Sequence, residues 1–358
     1  MSFKVWIPIL VLAVVAALPV ILPCVGGEVP LTSGYKVLSP IRHGNLTVFP
    51  VAAASSHNTQ AFLTLDEGLR SGEVIVTEAG NVQPLMRRRN RPVTHDGAQV
   101  NQLVLVNNSK RPLILLAGEI VTGGKQDRVI GKDRLVPAES DPIDLGVFCV
   151  EPGRWTATSA KFGPLAPMAS PAVRGRAMSD KDQAKVWSEV RNAQTVVASR
   201  LPAPAASEVA HTSSYAGVMQ NEEVKQQVDS IAEPIQRNYQ SLIQQLRERN
   251  AVGVVVAVNG EIIWADIFAS TNLLEKYWPK LVRSYAAEAF VTKAKGRETD
   301  VKSAQEFLDA MEGRRETVES EPGLYRHTEI TGDGFKAFEL TALLPKTGFD
   351  LHLAKMAE

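Results

Sequence analysis

The stretch Val252–Phe268, VGVVVAVNGEIIWADIF, decides the fold. Two apolar runs, Val252–Val258 and Glu261–Phe268, flank Asn259-Gly260, a dipeptide that tolerates positive φ at both turn positions. That pattern predicts an antiparallel hairpin. On its N-terminal side, Glu222–Arg249 places Val224, Val228, Ile231, Ile235, Tyr239, Leu242 and Leu246 three or four residues apart. This is the spacing of one face of a helix, and Pro234 is expected to kink it or start a new one. On the C-terminal side, Leu273–Lys293 repeats the pattern with Leu274, Trp278, Leu281, Tyr285 and Ala289 facing inward. A hairpin between two long amphipathic helices argues for an α+β architecture rather than a doubly wound one.

Farther toward the C-terminus, Ala304–Met311 reads as a shorter helix. Leu324–Ile330, Phe335–Leu344 and Phe349–Ala354 read as strands. Toward the N-terminus, Asp180–Ser199 reads as a helix, and the Ala/Pro/Ser-rich Leu201–Ser214 as a linker. Lys161–Arg176, with Pro164, Pro167 and Pro171, reads as an extended surface connection. The first half is richer in strands. Two short ones are expected in Tyr35–Pro50, with others at Glu73–Glu78, Gln102–Val106, Arg111–Val121, Arg128–Val136 and Ile143–Val150. A short helix is expected at Phe62–Leu69, capped by Thr64 or Asp66. The expected division is 28–170 and 171–358, two halves packed as one domain.

Composition narrows the function. Lys plus Arg and Asp plus Glu are 39 each, so no global field draws nucleic acid to this chain. A basic run, Met86–Arg91 (MRRRNR), reads as a solvated loop or a local phosphate or headgroup contact. Residues 1–27 combine Lys4, an apolar run from Val5 to Leu22, and Pro23-Cys24-Val25-Gly26-Gly27. This is the order of an export signal, and about 18–20 apolar residues also suffice to span a bilayer. A cleaved signal, a retained anchor and a lipoprotein at Cys24 stay open. Each places the body outside the cytoplasm, with membrane contact only through this segment. Six scattered histidines show no metal-ligand spacing, and no cofactor motif is present.

The chemistry concentrates in Gly118–Trp155, GEIVTGGKQDRVIGKDRLVPAESDPIDLGVFCVEPGRW. Gly123-Gly124 reads as a hairpin turn. A phosphate loop is excluded, because five residues rather than four precede Gly124-Lys125, Gln126 follows, and RVIGKDRLV is strand-like. The tip and the later Glu-Pro-Gly-Arg-Trp turn form a candidate anion pocket. Lys125, Arg128 and Arg154 would neutralise the ligand, Gln126 would orient it and Trp155 would stack on it. Glu119 and Glu151 end apolar runs, where desolvation raises a carboxyl pKa, and are candidate acid or base groups. The bland alternative pairs them with Arg128, Arg134 or Arg154. Cys149, inside an apolar strand and far from any histidine, reads as a core cysteine.

The same stretch resembles the signature of the ADP-ribosyl-glycohydrolase and rhodanese-phosphatase-associated domain family. LTVFPV (46–51), FLTLDEGL (62–69) and the 252–268 hairpin are similar in kind. The matching motif positions are Gly118, Glu119, Gly123, Gly124, Lys125, Gln126, Arg128, Cys149, Glu151, Arg154 and Trp155. The resemblance implies an ADP-ribose-like or nucleotide-derived ligand and brings no catalytic assignments. An export signal departs from that picture, since an exported protein would not meet the cytoplasmic nucleotide pool. Three functions stay open: an extracytoplasmic ligand-binding domain, a structural module of the envelope, and a hydrolase using Glu119 or Glu151.

Overall fold

The computed structural model describes residues 34–79, 102–165, 167–245, 250–293, 298–345 and 347–358. The apolar run at 5–22 and the basic run at 86–91 lie outside the described residues. Among the described helices none is long and apolar enough to cross a membrane.

The 252–268 hairpin lies within a nine-stranded sheet. Its strands are β13 (Ala251–Val258) and β14 (Glu261–Phe268), with Asn259 at φ 54° and Gly260 at φ 76° in the turn. On one side β13 pairs antiparallel with β3 (Leu46–Ala53), which also carries β1 (Tyr35–Val37) and β2 (Ile41–His43). On the other side follow β18 (Asp350–Ala357), β17 (Phe335–Ala342), β16 (Tyr325–Gly332) and the edge strand β15 (Arg314–Glu321). The sheet therefore takes strands from both halves of the chain.

Each face of this sheet is covered by helices. Val254, Val256 and Val258 pack with Ile235 and Tyr239 of α6 (Glu222–Gln245) and Leu281 and Tyr285 of α7 (Thr271–Val291). Val255, Ala257 and Ile267 pack instead with Ala304 and Leu308 of α8 (Val301–Asp309). The strict alternation of strand side chains makes this two-sided burial possible. Each fully buried Leu-sized side chain contributes about 1.5–3 kcal/mol. Pro234 and Pro279 both sit inside continuous helices, so no new helix starts at Pro234.

A second strand system carries the motif. A six-stranded sheet runs β12 (Gly163–Pro164), β8 (Ile120–Thr122), β9 (Arg128–Ile130), β11 (Ile143–Cys149), β6 (Gln102–Asn107), β5 (Val74–Thr77). Beside it, β10 (Arg134–Val136), β7 (Leu113–Leu115) and β4 (Leu63–Thr64) form a smaller sheet. Thr64 caps α1 (Leu65–Ser71) through a capping box with Glu67.

Three expectations are corrected here. Arg111–Val121 is two short strands, β7 and β8, interrupted at Leu116–Glu119. The segment 161–176 is not wholly extended, because Pro171 opens α2 (Pro171–Gly175), followed by a π-helical turn over Arg176–Asp180. The linker assigned to 201–214 is helix α4 (Ala203–His211), which follows α3 (Gln183–Ala198) and precedes α5 (Tyr215–Gln220). Alanine is the strongest helix former, and the proline at the start of α4 costs no hydrogen bond. Val209 buries the inner face.

Candidate functional site

The hairpin β8–β9 turns at Gly123 (φ 132°) and Gly124 (φ 49°). Both positions are crowded. A Cβ on Gly123 would lie 2.5 Å from Ser159 Oγ and 2.9 Å from the Lys161 carbonyl, and one on Gly124 only 2.3 Å from Phe162 Cζ. Glycine is required there for space as well as for φ.

Asp127 and Glu151 hold the tip in shape. The Asp127 carboxylate accepts hydrogen bonds from the Gly123 amide (3.0 Å) and Ser214 Oγ (2.9 Å). Glu151 Oε2 accepts from the Asp127 amide (3.0 Å), and Gln126 Nε2 donates to the Glu151 carbonyl (3.1 Å). Arg154 closes the arrangement. Its Nη2 lies 2.5 Å from Glu151 Oε2 and 3.3 Å from Asp127 Oδ1, and its Nη1 donates to the carbonyls of Gly124 (2.9 Å) and Thr156 (2.8 Å). The bond to Glu151 holds the Arg154 guanidinium above its usual pKa. Burial raises the Asp127 pKa, with the neighbouring Glu151 charge adding to it, against the donors around it.

The five candidate ligand residues therefore separate. Gln126 and Arg154 are spent on the tip itself. Arg128 is fully buried, donates to the Asp127 carbonyl (3.4 Å), and burial pulls its guanidinium below the usual range. Lys125, which is half-buried, and Trp155, which is exposed, are the two whose side chains are not committed to holding the tip. Trp155 is 44% exposed, which sets it apart from the buried aromatics, and Lys125 Nζ lies 4.9 Å above its ring. Among the described residues no carboxylate pairs with the Lys125 ammonium. The Lys125 amide is held by Glu78 Oε1 at 2.8 Å. An open pocket of about 520 Å³ adjoins the tip, lined by Asp127, Glu151, Arg154, Ser159, Thr212 and Ser214.

Glu119 lies at the other end of β8. It is fully buried, with Oε2 accepting from the Leu116 amide (2.9 Å) and Oε1 from Lys280 Nζ (3.1 Å), which also donates to Asp66 Oδ1 (2.8 Å). Burial raises the Glu119 pKa, opposed by Lys280. Burial works against the Lys280 ammonium, but Glu119 and Asp66 outweigh it and hold that pKa above its ordinary value. Among the described residues Glu119 and Glu151 share no hydrogen-bond or ion-pair partner: Glu119 is held by Leu116 and Lys280, Glu151 by Asp127 and Arg154. Cys149 is buried, and burial pushes its thiol up.

The same motif roofs a buried charge cluster. Arg174 makes a two-bond contact with Asp266 (2.9 and 3.0 Å) and lies 4.6 Å from the Trp264 ring. His352 sits between two carboxylates, Nδ1 at 2.5 Å from Asp133 and Nε2 at 3.1 Å from Asp266. Tyr285 donates to Asp266, and the Ala117 amide donates to Asp133 (2.7 Å). All of these side chains are fully buried. Gly118 (φ 91°) covers Arg174 so closely that a Cβ would lie 2.4 Å from Arg174 Cγ. Burial notwithstanding, Arg174 and His352 hold the Asp266 carboxyl far below the usual range.

Sequence reading missed this cluster, although two signals were present. Asp266 interrupts the apolar run IIWADIF, and His352 interrupts LHLA. A charged residue at an inward strand position needs a buried partner. No group of described acidic, histidine or cysteine side chains is arranged to hold a metal ion.

No curated protein and no solved structure matches the chain. Residues 34–355 match the model of the ARG and Rhodanese-Phosphatase-superfamily-associated Protein domain. That match takes in strands of all three sheets and nearly all of the described residues, so the chain belongs to this domain family.

Proposed function

We propose that the protein binds a small ligand at the tip of the β8–β9 hairpin, with a planar or sugar ring on Trp155 and an anionic group at Lys125. One observation carries this reading: an exposed tryptophan and an ammonium that, among the described residues, has no carboxylate partner stand together on the hairpin tip, next in sequence to Gly124 and Arg154 and close to a polar pocket lined by Gly123 and Arg154. Aromatic faces stack sugar and base rings, and Lys125 supplies the charge for a phosphate or carboxylate. Asp127, Glu151 and Ser214 line the pocket as acceptors and hydroxyls suited to ligand hydroxyl groups. Arg154 and Gln126 shape the site.

An ADP-ribose-like or nucleotide-derived ligand joins all three features, and the family's naming points the same way. The setting belongs to the proposal too: an extracytoplasmic body with residues 1–27 as signal or anchor. A hydrolase reading that needs Glu119 and Glu151 in one cleft draws no support from their placement. An envelope module without a ligand is the competing outcome.

Calorimetric titration with ADP-ribose, AMP, ribose 5-phosphate and, as a plain anion, citrate tests the proposal. ADP-ribose is expected to bind more tightly than citrate. Lys125→Ala and Trp155→Ala are each expected to weaken it about tenfold, in line with about 1–3 kcal/mol for ring stacking. A flat response to the whole panel would leave the structural-module reading in place, and binding that survives both substitutions unchanged would move the ligand away from the hairpin tip.

A further inference from the structure

A second pocket, separate from the hairpin tip and independent of the function proposed for it, lies between α2 and the C-terminal strands. Its volume is about 450 Å³. Ile263, Trp264 and Met356 supply an apolar wall, and Glu288 of α7 lies against it. The Trp264 ring also carries the buried Arg174 guanidinium, 4.6 Å from its centroid, which fixes the indole in place.

The charges around this pocket are unevenly satisfied. Arg176 is tied to Asp180 (3.1 Å) and Glu189 (3.4 Å). Lys336 is tied to Ser179 Oγ (2.7 Å) and the Glu358 side chain (3.1 Å). Asp180 has Lys185 as a further partner at 2.7 Å. Glu288 differs. Its carboxylate accepts from the Ala172 amide (3.0 Å at Oε2) and from the Ser170 side chain, and among the described residues no Lys, Arg or His pairs with it. Side-chain carboxylates outnumber cations on the lining, four (Asp180, Glu189, Glu288, Glu358) to two (Arg176, Lys336).

We propose that this pocket binds a short aliphatic primary amine, its ammonium on Glu288 and its carbon chain along Trp264, Ile263 and Met356. A largely buried carboxylate without a counter-cation selects a positive ligand, because pairing recovers part of the cost of desolvating it. An indole face and a thioether both favour an alkylammonium over an anion. The volume falls within the range of small-molecule sites. Arg176 and Lys336 do not block the ligand, since both already hold carboxylate or hydroxyl partners. Burial also raises the Glu288 pKa, as expected of a carboxyl without a cation beside it.

The test is calorimetric titration of the full chain with 1,4-diaminobutane, n-butylamine, n-butanol and butyrate. The two amines are expected to bind saturably and more weakly as sodium chloride is raised, and butanol and butyrate are expected not to bind. Glu288→Gln keeps an acceptor for the Ala172 amide and is expected to weaken amine binding about tenfold. Ala172→Phe fills the pocket from its rim and is expected to abolish it. Trp155→Ala and Lys125→Ala at the hairpin tip are expected to leave it unchanged, so that the two proposals fail separately. No saturable amine binding, an equal response to butanol or butyrate, or amine binding unaffected by Ala172→Phe overturns the proposal, as does full affinity in a folded Glu288→Gln variant.

Discussion

Raising the pH through 9 is expected to loosen the protein at one identifiable point, His352. Both of its ring nitrogens face carboxylates, Asp133 at 2.5 Å and Asp266 at 3.1 Å, and only the imidazolium donates from both nitrogens. Burial opposes the charge, but the two carboxylates prevail, with Asp133 foremost, and the pKa rises from 6.5 to about 9. The group therefore binds its proton more tightly folded than unfolded. Its contribution is fully present below pH 6.5 and is lost as pH rises through about 9. The rise from 6.5 to about 9 corresponds to about 3 kcal/mol.

Lys355 works in the opposite direction. Burial lowers its pKa to about 8, so loss of its proton relieves a cost between about pH 8 and its ordinary 10.5. The assay is therefore a difference. Urea unfolding of the wild type and of His352→Gln is measured from pH 6 to 9.5, with stabilities from linear extrapolation. The wild type is expected to lose about 3 kcal/mol relative to the variant across that window. Curves that run parallel within about 0.5 kcal/mol would refute the reasoning, as would a wild type that gains stability relative to the variant.

Three further outcomes follow from the same geometry. Arg174→Leu strips Asp266 of its two-bond partner in a fully buried site and is expected to cost about 3–5 kcal/mol by urea unfolding. Gly118→Ala combines positive φ with a Cβ 2.4 Å from Arg174 Cγ, and is expected to cost more than the about 1–2 kcal/mol of left-handed backbone alone. Gly44→Ala, at φ 57° in open space, is the control for that backbone term. Lys280→Met leaves Glu119 and Asp66 without their shared cation. It is expected to be strongly destabilising at neutral pH and to regain stability as pH falls and Glu119 takes up a proton, measured as a pH-dependent melting temperature.

Much of the architecture was legible wherever burial imposes a period. The 252–268 hairpin, α6, α7 and α3 each carry an apolar face that only one secondary structure can bury. The sequence misled where the decisive partner is remote. Arg111–Val121 reads as one strand because nothing nearby shows that Glu119 must turn toward Lys280, or that the Ala117 amide must meet Asp133. The β15 strand, RRETVESE, is exposed along almost its whole length and carries no alternation to read. The Ala/Pro segment before Ser214 has linker composition and helix propensity at once, and burial of Val209 decides between them.

The candidate site was legible as a stretch and not as a set of roles. Position in the motif singled out Lys125, Gln126, Arg128, Arg154 and Trp155, but only the structure separates groups that build the tip from groups not committed to holding it. Arg154 illustrates the limit. An arginine beside Gly-Trp looks free to bind an anion until Glu151 and Asp127, one before and one well before it in sequence, are found on its guanidinium.

The most direct test of the hairpin tip as a ligand site is the tryptophan emission of the wild type and Trp155→Phe, titrated with ADP-ribose. Trp155 is the exposed tryptophan among the described residues, so a ring stacking on it changes its emission. The account predicts a saturable change in the wild type that is lost in Trp155→Phe while the fold is kept. No change in the wild type, or the same change in both proteins, would contradict it.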